Sequence, residues 1–253
     1  MQKVKLTRKN LTGRKKTWNH NISKMPNIIV SKGTVVRKLL AIPKRGQSQG
    51  EEISNSISHG IGLVAALVGT PFLIMHAVRI GDAGFIVGAS LFSVSMILLY
   101  LASALYHALP RGKAKRCFRI IEHSAIFILI AGTYTPLTLG ILRGAFGWAL
   151  FGIVWGLAIA GVALKAFYKT AHPIISTGLY LLMGWLLVIA IKPLFARMPT
   201  AGLFLLIAGG LSYTAGVAFF ATDSRLKYGH LIWHLFVITG TTCHYFVVLW
   251  YAA

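Results

Sequence analysis

The chain has 253 residues, of which 56% are hydrophobic and only 12% charged, too apolar a balance for an ordinary soluble domain and one that marks an integral membrane protein. The formal charge of +21 at pH 7 does not indicate a nucleic-acid binder. Thirteen of the 26 Lys and Arg crowd into residues 1–50, and most of the others flank apolar stretches, as charges that fix membrane orientation do. The two cysteines, Cys117 in a basic stretch and Cys243 in an apolar one, imply no disulfide framework.

Residues 1–50 contain no Asp or Glu and no helical apolar period, which predicts a solvated, largely disordered cytoplasmic tail able to lie against anionic lipid headgroups. No apolar core follows its charges, so it is not a cleavable secretory signal. Two alternatives stay open: an organellar transit peptide, which the absence of acids permits, and translation starting at Met25 instead of Met1. Residues 1 to about 45 are expected to pack little and to be removable without loss of folding.

From residue 51 the composition changes abruptly. Seven apolar segments follow, over approximately 54–78, 84–109, 119–141, 145–165, 174–195, 201–221 and 229–251, each long enough to cross a bilayer as a helix. The predicted fold of residues 51–253 is all-α, a polytopic bundle of seven transmembrane helices without a convincing internal repeat. Counting Lys and Arg in alternate loops gives nine on the side of the tail (Arg111, Lys113, Lys115, Arg116, Arg119, Lys165, Lys169, Arg225 and Lys227) against four on the other (Arg79, Arg143, Lys192 and Arg197). The N-terminus is therefore expected in the cytoplasm and the C-terminus outside.

With this orientation, rare ionisable residues gather at one leaflet. Glu52, Asn55 and His59 open the first segment at helical spacing; Ser103 and His107 close the second; Glu122 and His123 open the third; His230 and His234 open the seventh. Two histidines four apart project from one helix face about 6 Å from each other, close enough to share a metal ion. Ionisable side chains at membrane depth are costly and point to function. A scattered set would populate the outer ends equally, where only His76 and Asp82 occur. The candidate metal ligands are His107, His230 and His234, an open three-histidine arrangement that suits Zn²⁺ without excluding iron, manganese or nickel. Glu122 is the candidate to take the proton of a metal-bound water, and Ser103 to hydrogen-bond that water or a polarised carbonyl. Glu52, Asn55 and His59 would support the site. His244 lies about 15 Å deeper than His234 and is expected to make a helix-packing hydrogen bond. Of Glu122 and His123, about 100° apart on a helix, only one should face the site. Pro136, in the sequence TYTP, is expected to kink the third helix.

The pattern E-x2-N-x3-H at Glu52, Asn55 and His59, S-x3-H at Ser103 and His107, an acid at Glu122 before AGTYTP, and H-x3-H at His230 and His234 with His244 ten on, resembles the hemolysin III family. That family is the bacterial branch of the progestin and adipoQ receptor superfamily. The resemblance covers about 51–253. It implies a seven-helix bundle with the N-terminus inside, zinc held at His107, His230 and His234, and residence in a bacterial inner membrane. Eukaryotic relatives resemble alkaline ceramidases in fold and are linked to lipid-amide hydrolysis, whereas bacterial members are named for cytolytic, pore-forming activity. The third-helix acid of the family is usually Asp; Glu122 is one methylene longer, which would permit direct ligation of the metal. The basic tail is not part of the pattern.

Three functions compete at this stage. The first is a zinc-dependent hydrolase of a lipid amide or ester that enters from the bilayer. The second is a pore, against which the apolar outer halves of several segments argue. The third is a receptor or regulator whose zinc only clamps helices.

Overall fold

In the computed structural model, the described residues are 6–9, 15–18, 45–167 and 173–253. Within the tail, expected to lack regular structure, strands β1 (Leu6–Lys9) and β2 (Lys15–Trp18) pair antiparallel with Leu6 opposite Trp18. Its remaining residues through 44, Met25 included, lie outside the described set.

The second unit, Lys44–Ala253, is helical. The first four spans are α1 (Gln49–Ile80), α2 (Ala83–Ala108), α3 (Lys113–Leu139) and α4 (Ala145–Phe167). The fifth comprises α5 (Pro173–Trp185), a 3-10 turn over Leu186–Ala190, and α6 (Ile191–Arg197); α7 (Thr200–Thr222) and α8 (Gly229–Tyr251) complete the set. Seven of these stretches are long and apolar enough to cross a membrane. Large apolar side chains such as Ile57, Val64 and Phe72 on α1 lie on the outside of the bundle, as lipid contact allows.

Helix α1 begins before the apolar run because Ser48 and Glu51 form a capping box, each satisfying an orphan backbone N–H of the other's turn. The ordered unit therefore starts ahead of residue 51. Arg45, expected to pack little, instead donates two hydrogen bonds to the Glu51 carboxylate, at 2.6 and 2.5 Å.

Helices α2 and α3 form the buried centre, and they cross where Gly88 meets Pro136. A Cβ at Gly88 would stand 2.6 Å from the Pro136 Cα. Pro136 does lie inside α3, and Thr135 beside it donates to the Ala131 carbonyl at 2.8 Å.

The fifth span, read from sequence as one helix, is interrupted at Leu186–Ala190. A broken backbone ladder at membrane depth needs partners from elsewhere in the protein. Tyr134 of α3 supplies them: its hydroxyl is 2.8 and 2.9 Å from the Met183 and Gly184 carbonyls and accepts from the Leu187 N–H at 2.8 Å. Tyr134→Phe should leave these groups unsatisfied and lower thermal stability in detergent by about 1–3 kcal/mol. An unchanged melting temperature would show that the turn holds itself.

Candidate metal centre

Four helix ends meet at one end of the bundle: the starts of α1, α3 and α8 and the end of α2. There the side chains of His107, Glu122, His230 and His234, all buried, each offer one ligand atom, and these four atoms lie within 4.8 Å of one another. Each histidine is fixed through Nδ1. That of His107 is 2.8 Å from Glu52 Oε2, that of His230 is 2.8 Å from Asp223 Oδ2, and that of His234 is 3.0 Å from Ser58 Oγ and 3.2 Å from the Asn55 carbonyl. Carboxylates and carbonyls only accept, so each Nδ1 carries the proton and each Nε2 presents a lone pair. All three Nε2 atoms are buried without a hydrogen-bond partner among the described residues. Three unpartnered nitrogens and a carboxylate gathered this closely are a donor set of the kind that holds a single metal ion. Imidazoles oriented by acceptors behind them are the usual construction of such a centre.

Glu122 is held at Oε1 by the Ser103 hydroxyl, which donates at 2.7 Å, and this oxygen lies 3.6 Å from His107 Nε2. The Ser103 hydroxyl thus engages the carboxylate and is not left free for a ligand. Glu122 Oε2 is 3.3 Å from Nδ1 of His123, so the His123 ring, expected to point elsewhere, turns back along α3 toward the same carboxylate.

The expected supporting residues act in three different ways. Glu52 bridges His107 to Lys115, whose Nζ is 3.0 Å from the same Oε2. Asn55 contributes its carbonyl, while its side chain donates to Gln47 Oε1 at 2.7 Å. His59 stacks flat on His234, with ring centroids 3.5 Å apart and planes 5° from parallel, and fixes that ring's plane. The deeper His244 is 3.2 Å from the Leu206 carbonyl, facing Gly209 of α7, where a Cβ would come within 2.4 Å of its Nε2.

Asp223 and Ser58, which stand behind two of the imidazoles, were not singled out from the sequence. Asp223 closes α7 and stands seven before His230, and Ser58 lies one turn after Asn55 on α1.

Two cavities lie in the helical unit. One, of about 180 Å³, is almost wholly apolar and includes Ile126, Tyr134, Tyr180, Trp233, Val237 and His244 in its walls. None of the four donor residues lines it; Ile126 stands one turn beyond Glu122, and Trp233 precedes His234 in α8. The other, of about 660 Å³, lies between the start of α1 and the α2–α3 loop and reaches His107 past Gln47, Glu52 and Lys115.

The pattern of the family described as Haemolysin-III related matches residues 47–245. The chain belongs to that family. It is 46% identical over 201 residues to the "Hemolysin-3 homolog" of Bacillus subtilis (strain 168), covering 79% of this chain and 94% of that protein. To "Hemolysin-3" of Bacillus cereus it is 45% identical over 201 residues, covering 79% and 91%. The human "Monocyte to macrophage differentiation factor" is 28% identical over 207 residues, covering 78% and 83%. Family and fold together make this a multi-pass integral membrane protein of the haemolysin-III type.

The geometry ranks the residues behind the imidazoles. His230 has one acceptor at Nδ1, whereas His234 has two. Asp223→Asn should therefore weaken metal binding by roughly 10–100-fold, and Ser58→Ala by much less, since the Asn55 carbonyl remains. Chelator competition on purified protein measures both. Equal losses would show that the Nδ1 partners do not set affinity.

Proposed function

We propose that the centre binds Zn²⁺ through His107, His230 and His234 and that the protein is a metal-dependent hydrolase of a lipid amide or ester. The gathering of three unpartnered Nε2 atoms and the Glu122 carboxylate carries this reading, and an apolar cavity walled by Ile126 and Trp233, near neighbours in sequence of Glu122 and His234, supports it. Zinc, when bound, supplies Lewis acidity and lowers the pKa of a bound water toward 7.

The chain's own residues do the rest. Glu122, oriented by Ser103, takes the proton of the attacking water, with His123 beside its second oxygen. The walls between α3, the fifth span, α7 and α8 accept an acyl chain and exclude water from it. The wider cavity past Glu52 and Lys115 connects His107 to the end of the bundle where water and a polar headgroup would stand. The count of basic residues assigns that end to the cytoplasm, with the C-terminus outside. The substrate would then be a membrane lipid, and the basic tail would rest on anionic headgroups.

The four-donor set also favours a second reading, a closed structural zinc that clamps α2, α3 and α8, with Glu122 as the fourth ligand. A pore formed by one chain is the weaker alternative, in spite of the relatives' names, because the cavity between the helices is apolar.

Two substitutions separate the first two readings. Glu122→Gln keeps the side-chain volume and should retain zinc while lowering cleavage of lipid amides or esters roughly 100- to 10,000-fold. His234→Ala should lose zinc. Loss of zinc in both variants, by metal analysis, would establish Glu122 as a ligand and favour the clamp. Undiminished cleavage in both would overturn the hydrolase.

A further inference from the structure

The imidazole of His230 depends on Asp223, and Asp223 lies in the connection from α7 to α8, outside either helix. A carboxylate on an unanchored loop would orient nothing, and this loop is anchored from α1. Glu51, only 2% exposed, accepts from both Nη atoms of Arg45, from the Ser48 N–H at 2.9 Å and from the Tyr228 N–H at 2.7 Å. Arg45 in turn donates through Nη2 to the Leu226 carbonyl at 2.9 Å, and its backbone N–H donates to the Ser224 carbonyl at 2.8 Å. Three points of the 223–228 connection, at 224, 226 and 228, are thereby tied to the two residues of one ion pair.

The third tie falls at a special residue. Tyr228, at φ 58°, is the one non-glycine residue with positive φ among those described, and it turns the chain into α8 two residues before His230. That left-handed conformation costs of order 1–2 kcal/mol for an L-residue. It also leaves the start of α8 without a side-chain cap of its own. The Glu51 carboxylate accepts the N–H of this strained residue, and so sets both the entry of α8 and the position of the loop that carries Asp223.

We propose that the Arg45–Glu51 pair is a positioning device for the metal centre, acting through Asp223 on His230. This rests on the reading of the cluster as a metal site. Neither residue touches the four donor groups; together they hold the partner of one of them. The pair joins Arg45, ahead of α1, and Glu51, in the first turn of α1, to the segment before α8, so metal affinity depends in part on a residue that precedes the first membrane helix.

The test is a double-mutant cycle on the purified full-length protein in detergent, read as Zn²⁺ affinity by chelator competition. Glu51→Gln and Asp223→Asn are each expected to weaken zinc binding by roughly 10–100-fold. The double variant should be no more than about twofold weaker than the worse single one, because both changes release the same imidazole. Arg45→Gln, at a partly exposed side chain, repeats the cycle without burying a new group, and Arg45→Lys should recover only part of the affinity because it lacks the two-pronged fork. Losses that multiply across the cycle, or wild-type affinity in Glu51→Gln and Arg45→Gln, would overturn the positioning role. A wild-type protein that binds no zinc would instead overturn the metal reading itself.

Discussion

The structure depends on one constraint: a polar group enclosed by apolar helices must find its partner within the protein. At the end of the bundle where α1, α3 and α8 begin, three imidazoles satisfy that constraint at one nitrogen only. Glu52, Asp223 and the Ser58–Asn55 pair each engage an Nδ1, and the Nε2 atoms remain turned toward a common point beside Glu122. Three such residuals in one place would be a heavy cost in a stable membrane protein, and a cation bound among them would offset all three together. The Nδ1 partners therefore carry as much of the case for a metal as the Nε2 spacing does.

The partners come from separate elements, which explains how the bundle is assembled around the centre. Helix α1 contributes Glu52, Asn55, Ser58 and the stacked ring of His59; α2 gives His107 and the Ser103 that steers Glu122 of α3; α8 gives two of the imidazoles. The α7–α8 connection supplies Asp223. Because α1 also holds that connection through Glu51, it supports the site from two directions while presenting much of its length to lipid.

How much of this was legible in the sequence follows from the distance over which each signal acts. The seven spans and the pairs His230/His234 and Ser103/His107 were readable because helical periodicity fixes residues three and four apart on a common face. Glu122 was readable because acids are scarce enough in this chain for each to be conspicuous. Asp223 is equally scarce but lies in a connection, where no period says which way a side chain points. Ser48-x-x-Glu51 is a capping-box pattern that could have placed the start of α1 and drawn Arg45 into the ordered unit. The break in the fifth span left no mark, since LLVIA is as apolar as its neighbours and the cause, the Tyr134 hydroxyl, lies some fifty residues away.

That break shapes the apolar cavity. A continuous fifth helix would pair its own carbonyls and leave no place for a hydroxyl from α3. With the turn in place, Tyr134, Gly184 and Leu187 form part of the cavity wall, and the polar atoms of the interruption are consumed by one another instead of facing the space. The wall therefore stays apolar beside a broken backbone. An apolar chain lying there would meet almost no polar surface along these walls, which include Ile126, one turn from Glu122. Under the proposed hydrolytic reading, such walls would take the acyl tail of a ligand and leave its polar head to the donor groups.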